Sequence, residues 1–157
     1  SDKSTNMWKF KDSFIKSKED IPEEYINSIG FIYIITQIST GKRYIGKKLL
    51  TKAATKTVKG KKKKIRKESD WIDYWSSSPQ IKQWIEDAGG TEDFTKEILV
   101  FISKKGMMLY AEELALYLVG ALESDNWINQ NIRSKIYFNW VLPDEAKVLR
   151  ESIKALI

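Results

Sequence analysis

The chain has 157 residues, of which 42% are hydrophobic and 31% charged, and 27 Lys and Arg outnumber 21 Asp and Glu. That length suits one compact domain with a sizeable apolar core. The absence of Cys and His excludes disulfides, thiolate or imidazole catalysis, and zinc sites built from those ligands. An enzyme of this composition must use carboxylates, Tyr, Lys or Arg, with or without an oxygen-bound metal.

Apolar runs in the sequence are all shorter than the ~18–20 residues that a membrane helix needs. The first residues, SDKSTNMWKF, also lack an apolar signal core. We therefore expect a cytoplasmic protein with no membrane association.

Positive charge is concentrated in one part of the chain. Between Tyr25 and Lys67 there are 13 Lys or Arg and no acidic residue, and seven of the nine residues 59–67 are positive. Such a run repels itself, so we expect a solvated, mobile loop. It could serve only for solubility, but a phosphate-contacting arm is favoured, because neutralised phosphates release counterions and add affinity.

In chain order, residues 1–29 predict an N-terminal extension. The β-branched and aromatic run over 30–37 predicts a buried strand. A turn signal over 39–42 and an extended pattern over 42–48 then complete a β-hairpin.

The second half of the chain alternates helix and strand signals. Ser78 and Pro79 suit the N-cap and first turn of a helix over 79–87, which Gly89 and Gly90 end. Residues 95–102 predict a third strand, 107–122 a long helix, and Pro143 opens an amphipathic closing helix. The predicted class is α+β: a small central antiparallel three-stranded sheet flanked by helices, with a Lys-rich loop insertion and an amphipathic C-terminal helix.

Two tripeptides lie on the predicted hairpin. Phe31-Ile32-Tyr33 is followed, after ten residues, by Tyr44-Ile45-Gly46. This pair resembles the GIY-YIG nuclease family, although Phe31 stands where the family has Gly. Because side chains alternate along a strand, both tyrosines share a face only if directly opposed residues have numbers that sum to an odd value.

Further matches extend the resemblance to about residues 30–130. Tyr74–Ser78 is similar to the Tyr-x-Gly-Ser box of phage-borne members, and three later segments fit the family's order: 93–99, 110–113 and 127–129. We therefore interpret residues 1–157 as a single domain, with a nuclease core over 30–130 and a C-terminal helical segment over 131–157.

The resemblance implies a metal-dependent endonuclease, phage-encoded, that hydrolyses phosphodiester bonds in double-stranded DNA as a homing-type or host-DNA-nicking enzyme. It implies that Tyr33 or Tyr44 orients or deprotonates the attacking water. We favour Tyr33 as base and Tyr44 as the phosphate or water partner. A Tyr with its pKa near ~10 can act as a base only beside positive charge or a metal-bound water.

Glu112 is the metal candidate, since it lies among apolar residues of the predicted helix, where a carboxylate usually has a partner or a task. One Glu with several waters suits Mg²⁺ (or Mn²⁺). Glu113 is the alternative, because helix registry is uncertain by one residue. The resemblance implies that Asn129 contacts phosphate or braces the site, with Asn131 as alternative.

The family's helix Arg after the second tripeptide has no counterpart at the expected distance. Lys48, Arg66 or Lys82 could replace it, though Lys lacks the bidentate fork of Arg; we favour Lys48 as the catalytic cation. The expected DNA-binding residues are Lys47, Lys61, Lys62, Lys63, Lys64 and Arg66.

Two other functions stay open: a non-catalytic nucleic-acid-binding module, and a domain that binds an acidic protein. Recognition sequence, cut type and oligomeric state are not predicted.

Overall fold

The computed structural model describes residues 6–132 and 136–157, and in them the chain forms an α+β domain. Within this part no helix has the length and apolar character to span a membrane. The strands are β1 (Trp8–Phe10), β2 (Ser13–Ile15), β3 (Gly30–Gln37), β4 (Arg43–Leu49), β5 (Thr51–Val58), β6 (Lys61–Glu68) and β7 (Phe94–Ile102). The α-helices are α1 (Pro79–Asp87), α2 (Lys105–Leu118) and α3 (Pro143–Ile153).

Short 3₁₀ turns connect these elements, and they lie at Lys18–Asp20, Glu23–Tyr25, Trp71–Asp73, Thr91–Asp93, Ala121–Glu123, Phe138–Trp140 and Lys154–Leu156.

The central sheet is mixed and has five strands in the order β2-β1-β7-β3-β4. The predicted antiparallel trio is present as β4-β3-β7, but the prediction of a three-stranded, wholly antiparallel sheet was wrong. The first residues of the chain add β1, which runs parallel to β7, and β2. They join the sheet because the side chains of Trp8, Phe10 and Ile15 are buried there.

Side-chain alternation along β3 supplies both faces of this sheet with apolar residues. Ile32 and Ile34 belong to one core cluster, with Ile45 of β4 and the buried faces of α2 and α3. Phe31, Tyr33 and Ile35 belong to the other, in which they meet residues of β1, the 71–75 segment and α1. The sheet therefore separates two cores, and β4 is one of its two edge strands.

The Lys-rich segment is not a loop, and that prediction was wrong. Strands β5 and β6 form a separate antiparallel hairpin with eight opposed pairs, from Thr51↔Glu68 to Val58↔Lys61. Lys59 and Gly60 close it with positive φ angles of 52° and 77°, the backbone of a tight two-residue hairpin turn. Because neighbouring lysines point to opposite faces of a strand, their charges separate enough for the strands to pair.

The helices follow the sequence signals closely. α1 has the predicted bounds, with Ser78 at the N-cap position, and Gly89 and Gly90 follow it with positive φ angles. α2 begins two residues before its predicted start and ends at Leu118, because Gly120 adopts the left-handed conformation. α3 begins at Pro143 as predicted, and it buries Ala146, Leu149 and Ile153.

Lys96 on β7 is buried, with 1% of its surface exposed. Its ammonium donates hydrogen bonds to the carbonyl oxygens of Ile72 at 3.0 Å and Tyr74 at 2.9 Å. It also lies 4.5 Å from the Trp8 ring centroid and 4.8 Å from that of Trp75. Lys96 therefore fastens the 71–75 segment to the sheet. Burial lowers its pKa to about 8.

This lowered pKa makes stability depend on pH. Between about pH 8 and the ordinary Lys value of 10.5 the unfolded chain binds more protons than the folded one, so stability rises with pH. From about pH 7.5 to 9.5 we expect the free energy of unfolding to increase by about 2 kcal/mol from this group. Urea unfolding at both pH values measures the increase.

Lys96→Met should lose this increase, because it keeps the apolar stem and removes the titrating amine. The control is Lys104→Met, which removes an exposed lysine and should keep the increase. An equal rise with pH in Lys96→Met and the parent protein would show that the rise has another source.

Candidate active site

The register of β3 and β4 brings the two motif tyrosines together. Tyr33 lies opposite Gly46, and Tyr44 lies opposite Ile35, so opposed residue numbers sum to an odd value and both phenols share one face. Their ring centroids are 6.2 Å apart. The condition that strand alternation sets for a shared face is therefore met. Tyr33 is 1% exposed, whereas Tyr44 is only partly buried.

Gly46 is required by the position of the Tyr33 phenol. A Cβ atom at Gly46 would overlap the Tyr33 hydroxyl and would lie 2.5 Å from Cζ. The final Gly of the second tripeptide therefore makes room for the Tyr of the first. Gly30 is confined in a similar way, since a Cβ there would lie 2.7 Å from the Met108 sulfur.

A third tyrosine, Tyr74, completes the aromatic group. Its ring stands perpendicular to Tyr33 with centroids 6.1 Å apart. The Lys48 ammonium lies 4.0 Å from the Tyr74 ring centroid and 2.6 Å from Oδ1 of Asp70. The resemblance of 74–78 to a family box drew attention to Tyr74, but its approach to Tyr33 depends on Lys96 and could not be derived from sequence.

Electrostatics keep the two motif phenols neutral. Burial, followed by the neighbouring Tyr44 and Tyr74 and by Glu112, raises the pKa of Tyr33 well above 10. Burial and then Glu112 also raise the pKa of Tyr44, and hydrogen bonds with Ser76 and Tyr33 offset this only in part. Deprotonating either phenol therefore requires added positive charge, such as a cation bound nearby.

Glu112 lies on α2, which packs on the opposite face of the sheet from the tyrosines. Lys47 points to that face, and its ammonium donates to Glu112 Oε1 at 3.0 Å. The Glu112 side chain is 21% exposed, and its charge still acts on Tyr33 and Tyr44. The candidate site therefore lies around the free edge of β4, between the two faces.

The donor set restricts what kind of metal could bind. No group of three or more acidic side chains converges in the described part of the chain. A single partly exposed carboxylate, Glu112, fits a hard cation that keeps most of its water, as Mg²⁺ does. Glu113 differs, since its Oε1 is buried without a hydrogen-bond partner in the described residues.

Asn129 lies against the outer edge of β4. Its Oδ1 accepts from the Ile45 backbone N–H at 3.0 Å, and its Nδ2 donates to the Ile45 carbonyl at 2.9 Å. Next to it, Arg43 exchanges backbone hydrogen bonds with Asn126 and Ile128. Asn129 therefore braces the strand between Tyr44 and Gly46, which supports the bracing role over a phosphate contact. Asn131 is exposed.

Other predicted cations are spread over the surface. Lys61, Lys62, Lys63 and Lys64 are exposed on β6, away from the phenols. Arg66 donates from Nε to the Thr51 hydroxyl at 3.1 Å and from Nη2 to its carbonyl at 2.7 Å. Lys82 is exposed on α1. Of the three replacements considered for the family's Arg, Lys48 alone contacts the aromatic group.

A hairpin that presents two facing tyrosines, with a helix Glu at its edge, defines the class of GIY-YIG nuclease domains. Residues 8–139 match the family model described as "Putative endonuclease segE, GIY-YIG domain". The chain belongs to this GIY-YIG endonuclease family. Neither the curated proteins nor the solved structures contain a significant match. The family match includes β1 and β2, so the N-terminal strands belong to the matched region.

The close approach of Tyr33 to Gly46 predicts that a methyl group added at Gly46 lowers the free energy of unfolding. Gly46→Ala should destabilise the protein by about 1–3 kcal/mol, because the new Cβ overlaps the phenol. In a Tyr33→Leu background the same substitution should cost much less, because the overlapping ring atoms are absent. A double-mutant cycle measured by urea unfolding tests this coupling. Equal costs in the two backgrounds would contradict it.

The hydrogen bonds of Asn129 predict a local effect. Asn129→Ala should raise the exchange rate of the Ile45 amide about tenfold or more, since the strand loses both side-chain partners at that residue. Hydrogen exchange of the β4 amides measures this. Asn131→Ala, at an exposed position two residues away, is the matched control and should leave exchange unchanged. Similar exchange in the two variants would rule out the brace.

Proposed function

We propose that this domain is a metal-dependent DNA endonuclease that hydrolyses phosphodiester bonds. The observation that carries the proposal is the convergence of Tyr33, Tyr44 and Tyr74 with Lys48 and Glu112 around the edge of β4. Family membership supports the endonuclease activity, and the geometry supports a chemistry that needs neither His nor Cys.

Glu112 would hold Mg²⁺ (or Mn²⁺), which when bound neutralises charge on the phosphate and lowers the pKa of a coordinated water. Tyr44, the more exposed phenol, would contact the attacking water or the phosphate. Tyr33 lies deeper, and it would either orient Tyr44 or, as the phenolate, accept the proton of the water; its raised pKa disfavours the phenolate unless positive charge lies nearby. Lys48 offers a point charge to the developing phosphate charge.

Binding of double-stranded DNA would use exposed lysines of the β5–β6 hairpin together with Lys47. Neutralising phosphates in this way supplies affinity that does not depend on sequence. A phage origin, a homing or host-DNA-nicking role and a cytoplasmic setting complete the proposal, and they rest on the resemblance of residues 74–78 to phage-borne members.

Plasmid nicking with and without Mg²⁺ tests the proposal. We expect Mg²⁺-dependent nicking in the parent protein, reduced about 10²–10⁴-fold in Tyr33→Phe, Tyr44→Phe and Glu112→Gln, since each loses a group that positions or activates the water. The matched controls are Tyr117→Phe, an exposed phenol on the same helix as Glu112, and Glu113→Gln. Both controls should cleave at the parental rate.

Three results would change the assignment. Loss of nicking in Glu113→Gln but not in Glu112→Gln would move the cation to Glu113. Full activity in both phenol variants would exclude the tyrosines from the chemistry. DNA binding without nicking by the parent protein at any Mg²⁺ or Mn²⁺ concentration would favour a non-catalytic binding module, a role that the missing family Arg would explain.

A further inference from the structure

The β5–β6 hairpin, residues 51–68, is named here the basic ribbon. Each of its strands has eight residues, so at ~3.4 Å per residue it is about 27 Å long. It pairs with no strand of the central sheet, and its residues belong to neither core cluster. An isolated two-stranded hairpin is only marginally stable in water, so its retention needs an explanation outside the core.

The register divides the ribbon into two unlike faces, since opposed residues point the same way. One face, named the lysine face, carries five cations and no acid: Lys52, Lys56, Lys61, Lys63 and Lys67. The other, named the threonine face, has small residues along β5 and places its cations only on β6, beside Glu68: Lys62, Lys64 and Arg66.

Like charges are directly opposed on the lysine face, where Lys52 faces Lys67 and Lys56 faces Lys63. Such pairs destabilise a hairpin in the absence of a partner. None of the five lysines makes an ion pair with another described residue. The protein therefore tolerates an internal repulsion that a bound polyanion would remove.

Given the proposed nuclease function, we infer that the basic ribbon enters the major groove of B-form DNA with its lysine face toward the duplex. That groove is about 12 Å wide and admits a two-stranded β-ribbon. The strands lie ~4.8 Å apart, so opposed lysine arms diverge toward the two phosphate backbones that border the groove. The threonine face could reach one backbone only, since its cations all lie on β6.

Both ends of the ribbon are tied to the candidate active site. Lys48 lies three residues before β5 and pairs with Asp70, two residues after β6. Trp71, which is buried, donates from Nε1 to Glu68 at 3.0 Å. A duplex held by the ribbon is therefore held at a fixed position relative to Lys48 and the tyrosines, which a freely mobile loop would not achieve.

Two double variants of equal charge test which face binds. Binding to a short duplex is measured against salt concentration in metal-free buffer, so that cleavage plays no part. Lys56→Ala with Lys63→Ala should reduce the salt slope by about 1.8, the value for two lost phosphate contacts. Lys62→Ala with Lys64→Ala removes the same charge from the threonine face and should change the slope much less. Equal losses would indicate diffuse attraction and overturn the inference.

Groove-specific probes test the parent protein itself, so the result does not depend on the folding of any variant. Binding should persist when netropsin occupies the minor groove, and it should be lost when guanine N7 atoms, which lie in the major groove, are methylated. The opposite pattern would overturn the inference. Nicking by the parent protein separates this inference from the proposed function. If the probes give the opposite pattern but nicking occurs, only the inference about the major groove is refuted. If the probes show major-groove binding but no nicking occurs, only the proposed function is refuted.

Discussion

The contact between the Tyr33 phenol and Gly46 is the constraint on which the rest of the site depends. Because the ring occupies the space of a Cβ at Gly46, the two strands pair in one register, and a slip of one residue would put a side chain into the ring. The same register sets Tyr44 beside Tyr33 and turns Lys47 to the opposite face, toward Glu112. One close approach thus orders groups on both sides of the sheet.

A candidate site around a strand edge has a physical advantage for the proposed hydrolysis. The tyrosines lie within an apolar cluster, where burial keeps them neutral, while Glu112 stays partly exposed on the other face, where a hydrated cation can reach it. An edge strand also has backbone groups that must be satisfied. Asn129 and the backbone of 126–128 satisfy part of that edge without a sixth strand.

Local signals in the sequence predicted the parts of the fold that local chemistry determines. α1 has its predicted bounds because Ser-Pro and Gly-Gly act within a few residues. Strand alternation gave the condition under which the tyrosines share a face, and the register of β3 and β4 meets it. β1 and β2 have three residues each. Trp8 of β1 lies opposite Lys96 of β7, 88 residues further along the chain, and β2 joins the sheet only through β1, so no local pattern could reveal them. The positions of Tyr74 and Lys96 likewise depend on tertiary contacts. In the Lys-rich segment the Lys59-Gly60 turn and the alternation of the lysines outweigh charge repulsion, and the segment forms a hairpin.

The basic ribbon follows β4 at the point in the chain where the resemblance places the family's Arg. The resemblance places an Arg-bearing helix soon after the second tripeptide, and here the chain instead leaves β4 directly into the ribbon. In the proposed nuclease the phosphate clamp would be divided: Lys48, which contacts Asp70 and the Tyr74 ring, would supply one charge at the tyrosines, and the ribbon would supply many charges at a distance. A lone ammonium lacks the bidentate geometry of a guanidinium. A duplex anchored along about 27 Å of ribbon would hold its phosphate in a fixed position beside Lys48. In the proposed nuclease, this positioning would compensate for the missing bidentate hydrogen bonds of an Arg.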